Sequence, residues 1–159
     1  MSFRSYFTLF ITCLCIVSCN DTLLSPNGNV VPQTSLFLDS VLNQQNSRVF
    51  VSWSGDDSDG MVVGYIYSWD KAKWYFTRKN DSTFSLQVQS ADTIFGFSVA
   101  AIDNSLKEYP KEGELIEFVD KNNNAQFDIG EQFPILQGAV DPTPAQLFFP
   151  IKNSPPIIA

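Results

Sequence analysis

Twelve consecutive residues in the last third of the chain carry oxygen atoms at a spacing that suits a hard cation. Calcium takes about six to eight oxygen ligands, and alternate residues of a tightly curled loop point toward one centre. In the run 120–131, the candidate ligands are Asp120, Asn122, Asn124, Gln126, Asp128 and Glu131. Gln126 would contribute its backbone carbonyl, Asp128 would bind directly or through water, and Glu131 would close the shell with both oxygens. The spacing therefore predicts Ca²⁺ as a cofactor.

This spacing resembles the EF-hand calcium loop, with two departures. Ala125 stands where that loop has glycine, and a left-handed backbone there would cost about 1 kcal/mol. The flanks are not helical, because a strand-like run, 114–119, precedes the loop and Pro134 follows it. The run is therefore more similar to the calcium loops of exported bacterial repeat proteins than to a cytosolic sensor. A turn-rich, solvated loop is the alternative interpretation.

A second acidic cluster lies between two predicted strands, at Asp56, Asp57 and Asp59. In a sandwich topology this loop and the segment after the sixth strand emerge at the same pole, which would bring Asp103 close. A shared cation is one interpretation of these four carboxylates. The other is that they form Asx-turns before Gly60, as Asp does in tight turns.

Three aromatic residues flank a short turn and offer a further candidate site. Trp69, Trp74 and Tyr75 could form a platform on which sugar rings stack. The alternative is that they cap the end of a β-sandwich, with the ring nitrogens reaching water. Both interpretations stay open at the level of sequence.

Composition narrows the chemistry. The chain has no histidine, which removes the commonest general base and the commonest transition-metal ligand. A formal net charge of −7 argues against nucleic acid as a partner. Neither a nucleophile motif nor a phosphate-binding glycine loop is present. We therefore expect a protein that is not an enzyme.

The N-terminus has the features of a processing signal. Arg4 supplies a positive charge, and an apolar run, 6–17, follows. This run is too short to cross a bilayer as a permanent transmembrane anchor. The run ends in Ile-Val-Ser before Cys19 and resembles a bacterial lipobox. The resemblance implies cleavage of a signal peptide, 1–18, lipidation of Cys19, and a tether over 19–33. Acyl chains at about 0.8 kcal/mol per buried methylene would anchor the chain stably to a membrane of the cell envelope.

Short β-type runs separated by turn signals follow the tether. We predict strands at 35–41, 48–54, 61–69, 73–78, 83–89, 93–102 and 146–151, in which apolar residues alternate with small or polar ones. Trp53, Tyr65, Tyr67 and the alternating run from Phe95 to Ala101 resemble the fibronectin type III pattern. The resemblance implies an all-β, immunoglobulin-like sandwich over 34–151. About forty residues precede the last strand, and we expect residues 105–140 to form a structured insertion. A Pro-rich tail or the start of an inter-domain linker follows over 152–159.

Together these features predict a membrane-anchored, non-catalytic lipoprotein that serves as an adhesion, spacer or assembly module, stabilised by calcium. Its partners would be the membrane, through the lipid, and other envelope proteins or polysaccharide. The alternative is a carbohydrate-binding module that uses the three aromatic residues named above. Fold alone would not decide between them, because sandwiches host many functions.

Overall fold

The computed structural model of the chain describes residues 28–38, 48–86 and 93–151. The predicted signal peptide, Cys19, most of the predicted tether and the tail 152–159 lie outside these residues. Within the described ranges the strands are, in chain order, β1 (Gln33–Leu38), β2 (Arg48–Asp56), β3 (Val62–Ser68), β4 (Trp74–Thr77), β5 (Asp81–Ser85), β6 (Thr93–Asp103), β7 (Leu115–Ile116) and β8 (Ala145–Ile151). One 3-10 turn (Pro134–Leu136) lies between β7 and β8. No helix in these ranges is long and apolar enough to cross a membrane.

The strands form two antiparallel sheets. The smaller sheet has the order β1-β2-β5, and the larger has the order β7-β4-β3-β6-β8. Antiparallel pairs are formed by β1 and β2, by β3 and β4, and by β6 and β8. Strand β3 also pairs with β6, although β4 and β5 lie between them in the sequence. Such crossing between two facing sheets is the architecture of an immunoglobulin-like β-sandwich, so the expected fold class is confirmed.

A sandwich core fills the space between the two sheets. It consists of Val49, Val51, Trp53, Tyr65, Leu86, Phe97, Val99, Ala101 and Phe149. In β2 and β6 these are alternate residues, because successive side chains of a strand point to opposite faces. The alternation seen in the sequence therefore identifies the inward face of both strands.

A second apolar cluster, the outer core, covers the opposite face of the larger sheet. From the sheet it takes Ile66, Trp74, Phe76, Ala100 and Ile102. From the insertion it takes Ile116, Phe127, Phe133, Leu136, Ala139 and Val140. The insertion is thus a third layer, and the larger sheet is buried on both faces where the insertion covers it. This explains why β3 shows an almost unbroken run of buried and half-buried residues.

The insertion is structured, as expected, but its predicted strand over 114–119 is much shorter. Only Leu115 and Ile116 pair with β4, opposite Tyr75 and Trp74. Pairing stops there because Ile116 lies opposite Trp74, the first residue of β4, so the residues after Ile116 have no partner in that strand. A single bridge between Val119 and Gln132 then closes the base of the 120–131 loop.

The register defines two poles of the domain. At the proximal pole β1 begins, β2 passes into β3, and β6 ends, with Gln33 opposite Asp56 and Val62 opposite Asp103. At the distal pole the turn 69–73 joins β3 to β4, and β8 ends opposite Thr93. The chain therefore enters the domain at one pole and leaves it at the other.

Candidate functional site

The 120–131 loop is curled by hydrogen bonds from its own backbone to the side chains of alternate residues. The Asp120 carboxylate accepts the N–H groups of Asn124 at 3.3 Å and Ala125 at 2.7 Å. The Asn122 Oδ1 atom accepts the N–H of Asn124 at 3.1 Å, and the Asn124 Oδ1 atom accepts that of Gln126 at 2.7 Å. The oxygens of the first three candidate ligands are therefore drawn to the inside of one turn.

The backbone at Ala125 has the left-handed conformation expected at the position where the EF-hand loop has glycine. Its φ is 61°, and Asn123 has φ 59°. Asparagine tolerates this region because its side chain can bond locally, whereas alanine carries the steric cost of its Cβ, about 1–2 kcal/mol. The loop thus keeps its curled shape at the expense of local strain.

Asp128 is held by two amide groups of the same loop. Its Oδ2 atom accepts hydrogen bonds from the Nδ2 groups of Asn122 and Asn124, each at 2.8 Å. These hydrogen bonds lower the pKa of Asp128, and the nearby positive charge of Lys71 lowers it further. The carboxylate is therefore ionised at neutral pH, as a calcium ligand must be.

Glu131 closes the loop from a buried position. Its Oε1 atom accepts the N–H of Lys121 at 2.7 Å, and its Oε2 atom accepts the N–H of Asp128 at 3.0 Å. The residue is only 7% exposed, although it is charged. A buried carboxylate needs such partners, because burying an unpaired charge is costly.

The loop is fastened to the distal pole through Phe127. The N–H of Phe127 donates to the Lys71 carbonyl oxygen at 2.8 Å, and the Trp74 Nε1 group donates to the same oxygen at 2.9 Å. The Phe127 ring stacks on Phe133 with 4.6 Å between centroids. The candidate metal loop and the outer core are therefore one continuous structure.

The candidate donors are all oxygen atoms, the type of ligand that a hard cation such as calcium prefers. In the described part of the chain, no three Cys, Asp or Glu side chains are grouped closely enough to hold a metal by themselves. Here the three carboxylates of Asp120, Asp128 and Glu131 are supplemented by the amide oxygens of Asn122 and Asn124. An amide oxygen has two lone pairs, so it can accept an N–H and coordinate an ion at the same time.

The second cluster lies at the proximal pole, where three of its four residues come together. Asp57 and Asp59 lie in the β2–β3 loop, and the negative charges of Asp59 and Asp103 both act on Asp57. Asn104 joins them, because its Oδ1 atom accepts the N–H of Met61 at 3.1 Å. Asp57 Oδ1 accepts the N–H of Asp59 at 3.3 Å, which is an Asx-turn.

One oxygen of this cluster is buried without a partner. The Asp57 Oδ2 atom accepts no hydrogen bond within the described ranges. A Cβ built on Gly60 would crowd this atom, at 2.6 Å, and Asn104 Oδ1, so any larger residue would displace one of the two side chains. Burial raises the pKa of Asp57, and the charges of its acidic neighbours raise it further.

The prediction that Asp56 belongs to this cluster is wrong. Asp56 is the last residue of β2, paired opposite Gln33, and its side chain is exposed. Successive residues of a strand point to opposite sides, so the strand directs Asp56 away from the loop that follows.

Residues from the start of the described chain complete the cluster, and the sequence did not point to them. Asn29 Nδ2 donates to Asp103 Oδ2 at 2.5 Å and to the Gly138 carbonyl oxygen at 2.7 Å. The N–H of Val30 donates to Asp59 Oδ2 at 3.1 Å. These contacts span 74, 109 and 29 positions along the chain, so no local pattern could have indicated them.

The predicted aromatic platform is also wrong. Trp74 is fully buried in the outer core, where its ring packs edge-on against both Phe127 and Phe133. Trp69 packs against rings of the sandwich core, on the other face of the larger sheet. Tyr75 follows Trp74 in β4 and therefore points to the face opposite it. The three rings therefore form no common platform, because Trp74 lies on the opposite face of the larger sheet from Trp69 and Tyr75.

Comparisons with known proteins leave the family of the chain open. No family model matches it, and no curated protein matches it. It is similar to the crystal structure of the PKD1 domain of Vibrio anguillarum Epp, with a TM-score of 0.42 and 11% identity over 78% of this chain and 96% of that domain. At this level of similarity, no function follows from the match. The class of protein that the fold defines is an immunoglobulin-like β-sandwich.

Proposed function

We propose that this protein is a non-catalytic, lipid-anchored module of the bacterial cell envelope whose sandwich domain serves adhesion, spacing or assembly and is stabilised by calcium. The observation that carries the proposal is the hydrogen-bonded curl of the 120–131 loop. A loop in which the side-chain oxygens of Asp120, Asn122 and Asn124 already accept backbone N–H groups leaves little ordering for an ion to impose.

The calcium ion would act on stability because of where the loop is fastened. Phe127, within the loop, packs against Trp74 of β4, and Val119 and Gln132 pair at the loop's base. An ion that binds the folded loop and not the unfolded chain stabilises the fold by mass action, about 2.7 kcal/mol at one hundred times its Kd. The ion would therefore hold the third layer against the larger sheet.

A second cation at the proximal pole is supported by the unpartnered oxygen of Asp57. Asp59, Asp103 and Asn104 would supply further oxygen ligands once they draw closer, because the carboxylates are not yet grouped tightly enough to hold an ion by themselves. Such an ion would offset the burial and, to a lesser extent, the charge repulsion that raise the pKa of Asp57. Because Asn29 and Val30 are bonded to the same carboxylates, it would also stabilise the junction with the predicted tether.

The spacer role is supported by the positions of the chain's entry and exit. β1 begins at the proximal pole and β8 ends at the distal pole, so the domain extends the chain in one direction. The lipid anchor rests on the lipobox resemblance at Cys19. The non-catalytic character rests on the missing histidine and on candidate sites whose groups suit cations.

The calcium proposal is tested by thermal unfolding of the detergent-solubilised protein in calcium and in chelator. We expect calcium to raise the Tm by about 5–15 °C. Glu131→Gln should remove most of this shift, whereas Glu117→Gln, an exposed change in the same insertion, should retain it. Residual stabilisation in Glu131→Gln that disappears in Glu131→Gln/Asp57→Asn would identify the second site. An equal Tm with and without calcium would contradict both.

The anchor is tested by fractionation of cells that express the full chain. We expect the protein in the membrane pellet and Cys19→Ala outside it, because the thiol is the predicted acceptor of the lipid. Mass spectrometry of the purified protein should show an acylated residue 19 at its N-terminus. An uncut, unmodified N-terminus would contradict the envelope assignment.

A further inference from the structure

The larger sheet has a free edge along β8. Within the described ranges β8 pairs with β6 alone, so one side of its backbone has no strand beside it. Natural sheets usually protect such an edge with charged side chains or with very short strands. At the opposite edge of the same sheet, β7 has two residues and is flanked by Glu114 and Glu117. In contrast, β8 has seven residues, and the run 142–151 carries no charge. The β8 edge is therefore open to a further strand.

Pro150 determines which backbone groups of β8 face this edge. Proline has no N–H, so it cannot donate a hydrogen bond to Ile94, its opposite residue in β6. Bonded and non-bonded pairs alternate along an antiparallel ladder. The odd-numbered residues of β8 therefore bond to β6, whereas Gln146 and Phe148 direct their N–H and C=O groups outward. Pro150 adds one carbonyl oxygen to this row.

The side chains beside the free edge form an apolar, exposed surface. Ile94, Phe148 and Pro150 lie on the same face of the larger sheet as the outer core, but outside it. The Phe148 ring leans over Gly96, where an added Cβ would lie 3.3 Å from it. Even so, Phe148 is 64% exposed and Ile94 is 70% exposed. Exposed apolar side chains next to unpaired backbone groups are what an added strand would cover.

From this geometry we infer that a second copy of the chain adds its own β8 to this edge, antiparallel to the first and centred on Phe148. A twofold contact requires a surface that matches itself, and this edge does. The two Phe148 residues would exchange N–H···O=C bonds, and their rings would form a cross-strand pair on one face. The Gln146 N–H would donate to the carbonyl oxygen of Pro150 in the second copy. The two larger sheets would then form one continuous sheet.

The distribution of charge favours a second copy over a strand from another protein. A chain with a net charge of −7 attracts basic partners through its acidic groups, but this edge has no charge with which to select them. For the same reason, two copies can meet here without placing like charges opposite each other. The contact requires neither calcium nor the lipid anchor. Its failure would therefore leave the proposed function in place.

Disulfide cross-linking of the purified full chain tests the edge and the register together. Opposite residues of a bonded antiparallel pair have Cα atoms about 5.5 Å apart, which a disulfide can span. Phe148→Cys should therefore form a linked dimer under mild oxidation with diamide. Gln146→Cys is the control at the same edge, because its two copies would lie about 13 Å apart along the strands. We expect Phe148→Cys to link at least about five times faster than Gln146→Cys.

A mixture of two variants checks the register. Gln146→Cys and Pro150→Cys lie opposite each other across the proposed contact, so the mixture should link faster than either variant alone. The unsubstituted chain gives the background from its native cysteines. Equal rates for Phe148→Cys and Gln146→Cys would overturn the proposal and assign the edge to a strand from another protein.

Co-purification of two differently tagged full chains, co-expressed and solubilised in excess detergent, provides the second measurement. Phe148→Lys in both copies should lower the recovery of the second chain at least about fivefold, because it places like charges opposite each other. The control is Leu115→Lys, which is 51% exposed in the wild type and lies at the opposite edge of the same sheet. It should leave the recovery unchanged. Both variants should keep the Tm within about 3 °C, because both positions are exposed. Equal recovery of the two variants would overturn the dimer.

Discussion

The indole ring of Trp74 meets the ring of Phe127 edge to face, with 5.4 Å between their centroids and 71° between their planes. Trp74 belongs to β4 of the larger sheet, whereas Phe127 belongs to the candidate calcium loop. The same pair is joined through the Lys71 carbonyl oxygen, which accepts a hydrogen bond from each. Packing of the sheet and shape of the loop therefore depend on each other.

The first prediction concerns this contact. Trp74→Ala and Phe127→Ala should each lower the free energy of unfolding by about 3–5 kcal/mol, because a fully buried ring leaves a cavity. Their double mutant should lose about 0.5–1.5 kcal/mol less than the sum, which is the coupling of an aromatic pair. Urea denaturation measures all three. Strict additivity would mean that the rings do not contact each other.

A second prediction concerns Ala125. Ala125→Gly removes the steric cost of a left-handed alanine, about 1–2 kcal/mol. It also raises the conformational entropy of the unfolded chain, which lowers the free energy of unfolding by about 0.4–1 kcal/mol. The net expectation is a stabilisation of about 0.5–1 kcal/mol in chelator, together with tighter calcium binding. Ala145→Gly, in β8, is the control and should destabilise the protein. A loss of stability in Ala125→Gly would show that this residue is not left-handed.

A third prediction concerns pH and Glu112, which joins the insertion to the end of β4. Its carboxylate accepts the Thr77 hydroxyl at 2.7 Å and the Arg78 N–H at 2.9 Å. The Thr77 hydrogen bond lowers the pKa of Glu112 below its ordinary value of 4.5, and the Arg78 N–H and the charges of Lys79 and Arg78 add to the effect. The contribution of Glu112 to the free energy of unfolding is therefore complete above about pH 4.5. It is lost as the pH falls through the lower pKa that Glu112 has in the folded state.

The corresponding measurement compares Glu112→Gln with the wild type from pH 7 to pH 3. The wild type should be more stable at pH 7 by no more than about 1 kcal/mol, because the group is largely exposed and solvent screens it. The difference should shrink toward pH 3. Glu108→Gln, an exposed change in the same insertion, should show no such trend. A difference that grows on acidification would have the wrong sign for this interaction.

A fourth prediction concerns Asp141, a buried carboxylate that follows the insertion and is bonded to β1. It accepts the N–H of Thr34 at 2.8 Å and both the N–H and the hydroxyl of Thr143, at 2.8 and 2.9 Å. Asp141→Ala should lower the free energy of unfolding by about 2–4 kcal/mol, because these donors lose their acceptor. Asp81→Ala, at an exposed position in β5, should change it by less than about 0.5 kcal/mol. Similar losses in the two variants would rule out a special role for Asp141.

Much of the sandwich could be predicted because its signals are local. The alternation of Val49, Val51 and Trp53 follows from the two-residue period of a strand, and the structure confirms that they face inward. The loop 120–131 is also local, since its ligand spacing is read within twelve residues. Its calcium binding stays a prediction, although its backbone is curled as the spacing requires.

The features that the sequence did not predict depend on contacts between segments that are distant in the chain. Trp74 and Tyr75 are neighbours in sequence, and only the strand's position between two apolar layers determines that Trp74 is buried beneath the insertion. Likewise, Asn29 reaches Asp103 across 74 positions, and Asp56 is excluded from the cluster by the direction of a strand. Sequence by itself determined which segments form strands and which loop could bind an ion, because both depend on local periodicity. Tertiary structure alone decided which faces are covered, because burial depends on what the rest of the chain places there.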